Sequence, residues 1–242
     1  MHLSALKSFL DFQNTYLHPL KSKNSITILE IGSYSFNSSI KKNILKEFKY
    51  IGADIQKGPN VDVVLTDPYK LPFEDNSIDV IVSISAFEHT EFFWLTYLEI
   101  LRVLKDDGLF FLNAPSNGKY HRYSTDNWRF YPDSSLALTK WGNKNNYNPE
   151  VLEHFTNHAT GIDIWNDYVS VTIKNKELKK KYLNRIIHSK KNFSNGRVDN
   201  SKEIINYIKT QQDQNNWGWK LHYKIRKKIY KIKNFFARIK DN

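Results

Sequence analysis

The run Ile78–Ile84 is apolar except at Asp79 and Ser83, and it restricts the fold of this chain more than any other stretch. Continuous apolar strands are covered on both faces, which places them inside a sheet flanked by helices. Thr27–Ile31, β-branched at three of its five positions, precedes Gly32 and a Ser/Asn-rich turn and reads as a first strand. Tyr50–Ile55 and Val61–Leu65 read as the second and third, and Ile78–Ile84 as the fourth. An amphipathic helix over Glu91–Leu104 then leads through Asp106, Asp107 and Gly108 into a strand at Leu109–Ala114. Strands that alternate with helices imply a parallel sheet with right-handed crossovers.

The flanking segments are less regular. Leu3, Leu6, Phe9, Leu10 and Gln13 share one face of a helix in an N-terminal segment, residues 1–24, that is expected to pack on the domain's surface. Ile40, Ile44, Leu45 and Phe48 predict a helix from Asn37, and Pro132 introduces a short helix at Asp133–Lys140. Ile162–Trp165 and Tyr168–Ile173, separated by Asn166 and Asp167, read as a hairpin that closes the sheet with an antiparallel edge. The catalytic domain is therefore expected over 25–175. A basic, helical or mobile extension follows over 176–242.

In open sheets of this kind ligands bind beyond the carboxyl ends of the strands. The distinctive residues fall at those ends. Glu30, Gly32 and Ser33 close the first strand, and Gly32 lets backbone approach a ligand that a Cβ would hold away. Asp54 closes the second, 22 residues after Gly32, where a carboxylate accepts from both ribose hydroxyls or caps a turn. Asp67 follows the third strand and either accepts from an adenine amine or caps a turn. Glu30 reads equally as a structural acceptor. Ser85, Ala86 and Phe87 follow the fourth strand, where small residues leave room for a bound molecule.

The order Glu30-x-Gly32, Asp54, Asp67-x-x-x-Leu71-Pro72-Phe73, Ser77-Ile78-Asp79, Glu88-His89, Leu101-x-x-Leu104-Lys105-x-x-Gly108 resembles the class I S-adenosylmethionine-dependent methyltransferases, in their Leu-Pro-Phe branch. The resemblance spans Leu29–Asn117. It implies an α/β, Rossmann-like three-layer sandwich with a mostly parallel seven-stranded sheet and an antiparallel edge strand. It also implies S-adenosylmethionine as cofactor, released as S-adenosylhomocysteine. Gly32 and Ser33 would meet its methionine part, Asp54 the ribose, and Asp67 and Pro68 the adenine, with Ile55 on the adenine face. Ser85, Ala86 and Phe87 would form the floor beneath the sulfonium. The loop Gly32-Ser33-Tyr34-Ser35-Phe36 departs from the family's glycine-rich pattern.

Asn113-Ala114-Pro115-Ser116-Asn117-Gly118, with His121-Arg122-Tyr123, Asp126, Trp128-Arg129-Phe130 and Tyr131-Pro132-Asp133, is similar to methyltransferases of bacterial capsule or lipopolysaccharide assembly. That resemblance implies a small-molecule or glycan-precursor acceptor, sugar or phosphorylated. His89 and His121 are candidate general bases, Asp126 an orienting acid. Asn117, Arg122, Tyr123, Trp128 and Arg129 are candidate acceptor contacts, the arginines on a phosphate and the aromatics on a ring. The competing readings are a helix cap for His89, a surface hydrogen-bond pair for His121 and Asp126, and a packed lid for the rest. No metal-binding set is assigned.

The chain contains no cysteine, which excludes disulfides and thiolate metal sites and fits a reducing cytoplasm. Its formal net charge is +11, and the stretch from Lys220 onward carries nine basic residues against Asp241, so the rest has an ordinary balance and nucleic acid is not the expected partner. Leu221, Ile225, Ile229, Ile232, Phe236 and Ile239 share a helical face flanked by those cations. Such a helix lies on an anionic inner-membrane surface, or docks on the domain or on a second subunit of a homodimer. A nicotinamide oxidoreductase is disfavoured because Tyr34 and Asn37 occupy two of the three glycine positions of its phosphate loop. An RNA methyltransferase and a non-catalytic membrane scaffold with a degenerate pocket remain as alternatives.

Overall fold

The computed structural model describes residues 3–20, 26–35, 39–159, 165–208, 221 and 224–229. Two compact units divide the chain, residues 1–207 and 208–242.

The first unit is built on one eight-stranded sheet. Its strands are β1 (Thr27–Ile31), β2 (Lys49–Asp54), β3 (Val63–Val64), β4 (Ile78–Ile84), β5 (Leu104–Pro115), β6 (Glu150–Asn157), β7 (Asp167–Ile173) and β8 (Phe193–Val198). They lie in the order β3-β2-β1-β4-β5-β7-β6-β8. Pairing is parallel from β3 to β5 and antiparallel from β5 to β8. The mostly parallel α/β architecture is the one expected, and β1 and β4 have the predicted bounds.

Helices cover both faces. On one, α1 (Leu3–Phe12) buries Phe9 and Phe12 against Val80, Val82, Phe111, Val169 and Val171. On the other, α2 (Phe93–Val103) and α3 (Ser134–Lys144) supply Tyr97, Ile100, Leu101 and Leu138 to a cluster with Leu29, Ile81, Phe110 and Leu112. Alternate residues of β4 and β5 enter opposite clusters, which is why these strands read as continuous apolar runs.

Four expectations need correction. The face of α1 is rotated: Leu3 is 83% exposed, whereas Ala5, Phe9 and Phe12 are buried and Tyr16 continues the row in the π-helical turn Gln13–Leu17. Aromatic packing sets this face, with Phe12 and Phe111 4.7 Å apart between ring centroids and the Tyr16 hydroxyl donating to Glu153 at 2.7 Å. After β1 the described chain forms only a 3₁₀ turn, Ile40–Asn43, instead of a long helix.

β7 pairs antiparallel with both β5 and β6; of the expected strand Ile162–Trp165, residues 162–164 lie outside the described residues and Trp165 belongs to no strand. Lastly, the sheet has eight strands, not seven. Every residue of β6 is buried, so its outer edge needs cover, and β8 supplies it through pairs such as His154 with Arg197.

In the second unit, Leu221 and residues 224–229 are helical, with Leu221, Ile225 and Ile229 exposed. The other stripe positions, Ile232, Phe236 and Ile239, lie outside the described residues. No helix among the described residues is long and apolar enough to cross a membrane.

Candidate active site

A cleft of about 860 Å³ opens where β1, β2 and β4 end, and its lining includes Ile31, Gly32, Asp54, Ile55, Pro68, Ser85 and Ala86 together with His89, Arg122, Tyr123 and Thr125. Its first side is made largely of strand termini. Gly32 turns the chain out of β1 at φ +83°, its N–H donating to the Ala53 carbonyl at 2.9 Å. A Cβ there would stand 2.3 Å from the Cβ of Ala86, so both the backbone angle and the contact require glycine. Ser85 leaves β4 in the left-handed region as well, at φ +52°. For serine this is an uncommon conformation.

Asp54 is fixed by two loops: Tyr34 N–H donates to Oδ2 at 3.0 Å and Gln56 N–H to Oδ1 at 2.9 Å. Each oxygen keeps a second lone pair. Ile55 beside it is 59% exposed. This set suits an adenosine-bearing ligand: a carboxylate oriented for vicinal hydroxyls, an apolar side chain for a base, and a glycine leaving room for close approach.

Four other candidates on this side lie outside the lining. Glu30 is buried and accepts from the Tyr50 hydroxyl at 2.5 Å, and burial pushes its carboxyl up to about 7. Ser33 is buried near Gly52, its hydroxyl without a partner among the described residues. Asp67 caps its own turn by accepting from Tyr69 N–H at 2.8 Å. Phe87 belongs to the core, packed on Phe93, Phe110 and Phe130.

The other side of the cleft is a loop sewn to the turn after β4. Asn127 and Trp128 donate their N–H groups to the Glu88 carbonyl at 2.8 and 3.1 Å. The Thr125 hydroxyl and the Asn127 amide donate to the His89 carbonyl at 2.8 and 3.1 Å. His89 Nδ1 lies 2.5 Å from the Thr125 carbonyl, which accepts only if Nδ1 carries the proton, so Nε2 holds the free lone pair. Burial lowers the basicity of this imidazole. His121 packs edge-on against it at 5.1 Å.

Glu88, buried to 1% exposure, has its carboxyl pushed up to about 8 by that burial. Its place in the site was not read from sequence; its position next to His89 was the available signal.

Asp126 sits between Arg129 and His121. It accepts from Arg129 Nη1 and Nη2 at 2.5 and 2.9 Å and from His121 N–H at 2.7 Å, and the guanidinium holds its carboxyl down to about 2. Arg129 also donates to the Trp128 and Lys119 carbonyls and is absent from the cleft lining. Trp128 packs on Phe93 and donates to the Thr90 carbonyl, and Asn117 accepts from Asn166 N–H at 2.7 Å. These two are also absent from the lining. Arg122 and Tyr123 do line the cleft, Arg122 donating through Nε to the Ser124 carbonyl. No carboxylate among the described residues forms an ion pair with it.

Residues 27–112, from β1 into β5, match the sequence profile of a methyltransferase domain. By that match the segment 27–112 is a methyltransferase domain. No curated protein gives a significant match.

Among solved structures the chain is similar to the YcgJ protein of Bacillus subtilis, with 15% identity over 72% of this chain and 100% of that one and a TM-score of 0.50. It is similar to the [4+2]-cyclase SpnF, with 12% identity over 71% and 81% of the two chains and a TM-score of 0.52. A third is the 1,6-didemethyltoxoflavin-N1-methyltransferase of Burkholderia thailandensis with bound S-adenosylhomocysteine, with 12% identity over 70% and 78% and a TM-score of 0.50. At these identities the likeness speaks to the fold alone, and the cyclase shows that one fold serves more than one reaction.

Proposed function

We propose that the cleft binds S-adenosylmethionine and that the enzyme methylates an oxygen of a sugar or phosphate-type group on a surface-glycan precursor. The observation that carries this reading is Asp54, held by two backbone N–H groups at the rim of a cleft whose opposite wall presents His89 and Arg122. The S-adenosylhomocysteine held by the Burkholderia enzyme supports the choice of cofactor. When bound, this cofactor supplies an activated methyl group on a sulfonium.

The chain's own residues divide the work. Asp54 accepts from the ribose hydroxyls, and Ile55 covers one face of the adenine. The bare backbone at Gly32 and the small side chain of Ala86 leave room for the methionine part. On the acceptor wall, the His89 Nε2 lone pair is placed to take a proton from a sugar hydroxyl. Arg122 offers its remaining donors to a phosphate oxygen. Asp126 and Arg129 fix the loop that carries both His121 and Arg122.

Calorimetric titration tests the cofactor assignment. Wild-type protein is expected to bind S-adenosylmethionine and S-adenosylhomocysteine. Asp54→Asn should weaken both roughly 10- to 100-fold, since a hydrogen bond to a charged group is worth about 1.5–3 kcal/mol. Binding of NAD without S-adenosylmethionine would defeat the proposal. Transfer of labelled methyl to RNA, but not to nucleotide sugars or glycan phosphates, would move the acceptor to another class.

A further inference from the structure

We infer that Glu88, His89 and His121 form a binding site for a divalent transition-metal ion on the acceptor wall of the cleft. Each offers one ligand atom, and the three atoms lie within 4.8 Å of one another. This inference rests on the acceptor wall assigned above and names the group that would bind the acceptor's oxygen there.

Three observations point to an ion more than to a hydrogen-bonded cluster. The Glu88 carboxylate is buried, yet its Oε2 has no hydrogen-bond partner among the described residues. Leaving such an acceptor unpaired is costly, and a cation relieves it. His89 is oriented in the way metal-bound histidines are, with Nδ1–H on the Thr125 carbonyl and Nε2 turned toward Glu88, 3.8 Å from Oε1. His121 Nδ1 also has no hydrogen bond among the described residues: it stands 3.3 Å from Asp126 Oδ2, but that oxygen takes the His121 backbone N–H instead.

The donor set narrows the ion. Two imidazoles and one carboxylate suit zinc and its first-row neighbours, whereas magnesium prefers an all-oxygen shell. Ligands about 2.1 Å from one tetrahedral ion stand about 3.4 Å apart, so a pair at the 4.8 Å limit must close by about 1.4 Å. Because Asp126 and Arg129 hold the loop, rotation of the His121 side chain, 36% exposed, is what would have to close the gap. The nearby Asp126 is already neutralised by Arg129, which leaves Glu88 as the carboxylate available to balance the ion.

Three protein ligands leave a coordination position open. Because His89 lines the cleft, an acceptor hydroxyl can reach it. Bound there, the hydroxyl is acidified and gives its proton to solvent, and the ion replaces direct proton uptake by His89.

Chelator-stripped full-length protein should be titrated with Zn²⁺ by calorimetry and with Co²⁺ by visible absorption, with Mg²⁺ as comparator. One equivalent of Zn²⁺ or Co²⁺ is expected to bind, and Mg²⁺ is not expected to compete at millimolar concentration. Glu88→Gln and His121→Asn should each weaken uptake at least 10- to 100-fold. His121 has a side chain 36% exposed on a loop, so its variant keeps the test open should Glu88→Gln fail to fold. No stoichiometric uptake, uptake unchanged in the variants that fold, or binding of Mg²⁺ alone overturns the inference. S-adenosylmethionine titrated into the stripped protein separates the two proposals. Cofactor binding without metal uptake defeats the ion only, and metal uptake without cofactor binding defeats the methyl-donor reading only.

Discussion

Where β1, β2 and β4 end, the cleft is walled by backbone: Gly32, Ser85 and the N–H groups that hold Asp54. The facing wall is made by side chains on the loop 121–128, tied to residues 88 and 89 through Thr125 and Asn127. On the first wall a residue matters chiefly where no Cβ fits or where one carboxylate is aimed. On the second, each side chain depends on its neighbours' hydrogen bonds. The first wall should therefore fail abruptly at single positions, and the second by loosening.

The largest effect is expected at Gly32. Gly32→Ala places a methyl 2.3 Å from the Ala86 Cβ and a side chain at φ +83°, so S-adenosylmethionine affinity should fall more than 100-fold by calorimetry. Adding Ala86→Gly relieves the contact but not the backbone angle, and should restore part of the affinity. Full tolerance of Gly32→Ala would mean that β1 and β4 do not press together as described.

On the facing wall the two arginines should separate. Arg129→Ala strands the buried Asp126 carboxylate and is expected to lower unfolding stability by about 3 kcal/mol in denaturant titration. Arg122→Ala should leave stability unchanged and lower acceptor kcat/KM roughly 10-fold, the scale of one lost charge-assisted contact, with cofactor affinity intact. Equal effects on stability would merge the roles that the geometry divides.

The smallest effect on binding is expected at Glu30, which does not line the cleft. Glu30→Gln should leave cofactor affinity unchanged and alter only the pH dependence of stability. Because burial raises the folded-state pKa from 4.5 to about 7, the folded protein holds this proton more tightly than the unfolded chain. Stability from this group is full below about pH 4.5 and declines as pH rises through 7. The glutamine variant should lose that decline in thermal melts across the interval.

The same division governs what was legible in the sequence. β1 and β4 carry side chains into two apolar clusters and could be read to the residue. β6 could not, because Glu150, Glu153, His154 and Asn157 read as a polar stretch. Burial of Glu153 is offset by the Tyr16 hydroxyl and the Ile186 and Ile187 N–H groups, partners remote in sequence. β8 contains Asn195 at φ +51° and Gly196, residues that signal a turn.

The placement of Gly32 and Asp54 at the cleft was readable because strand ends fix their positions. At Asp67 a ligand-facing and a turn-capping acid use the same residue at the same place, so the chain alone does not separate them. Arg122 and Arg129 look equivalent in the chain, and only the placement of Asp126 three residues before Arg129 tells them apart.

The seating of α1 bears on how the protein emerges during synthesis. Its aromatic face, Phe9 and Phe12, rests on Phe111 of β5 and on the cluster that includes Val169 and Val171 of β7. That surface does not exist until some 160 further residues have left the ribosome. At roughly 5–20 residues per second, the first helix waits on the order of 10 s with its phenylalanines uncovered. During that interval the nascent chain presents the sort of apolar helix that chaperones bind, and its last strands complete the cover.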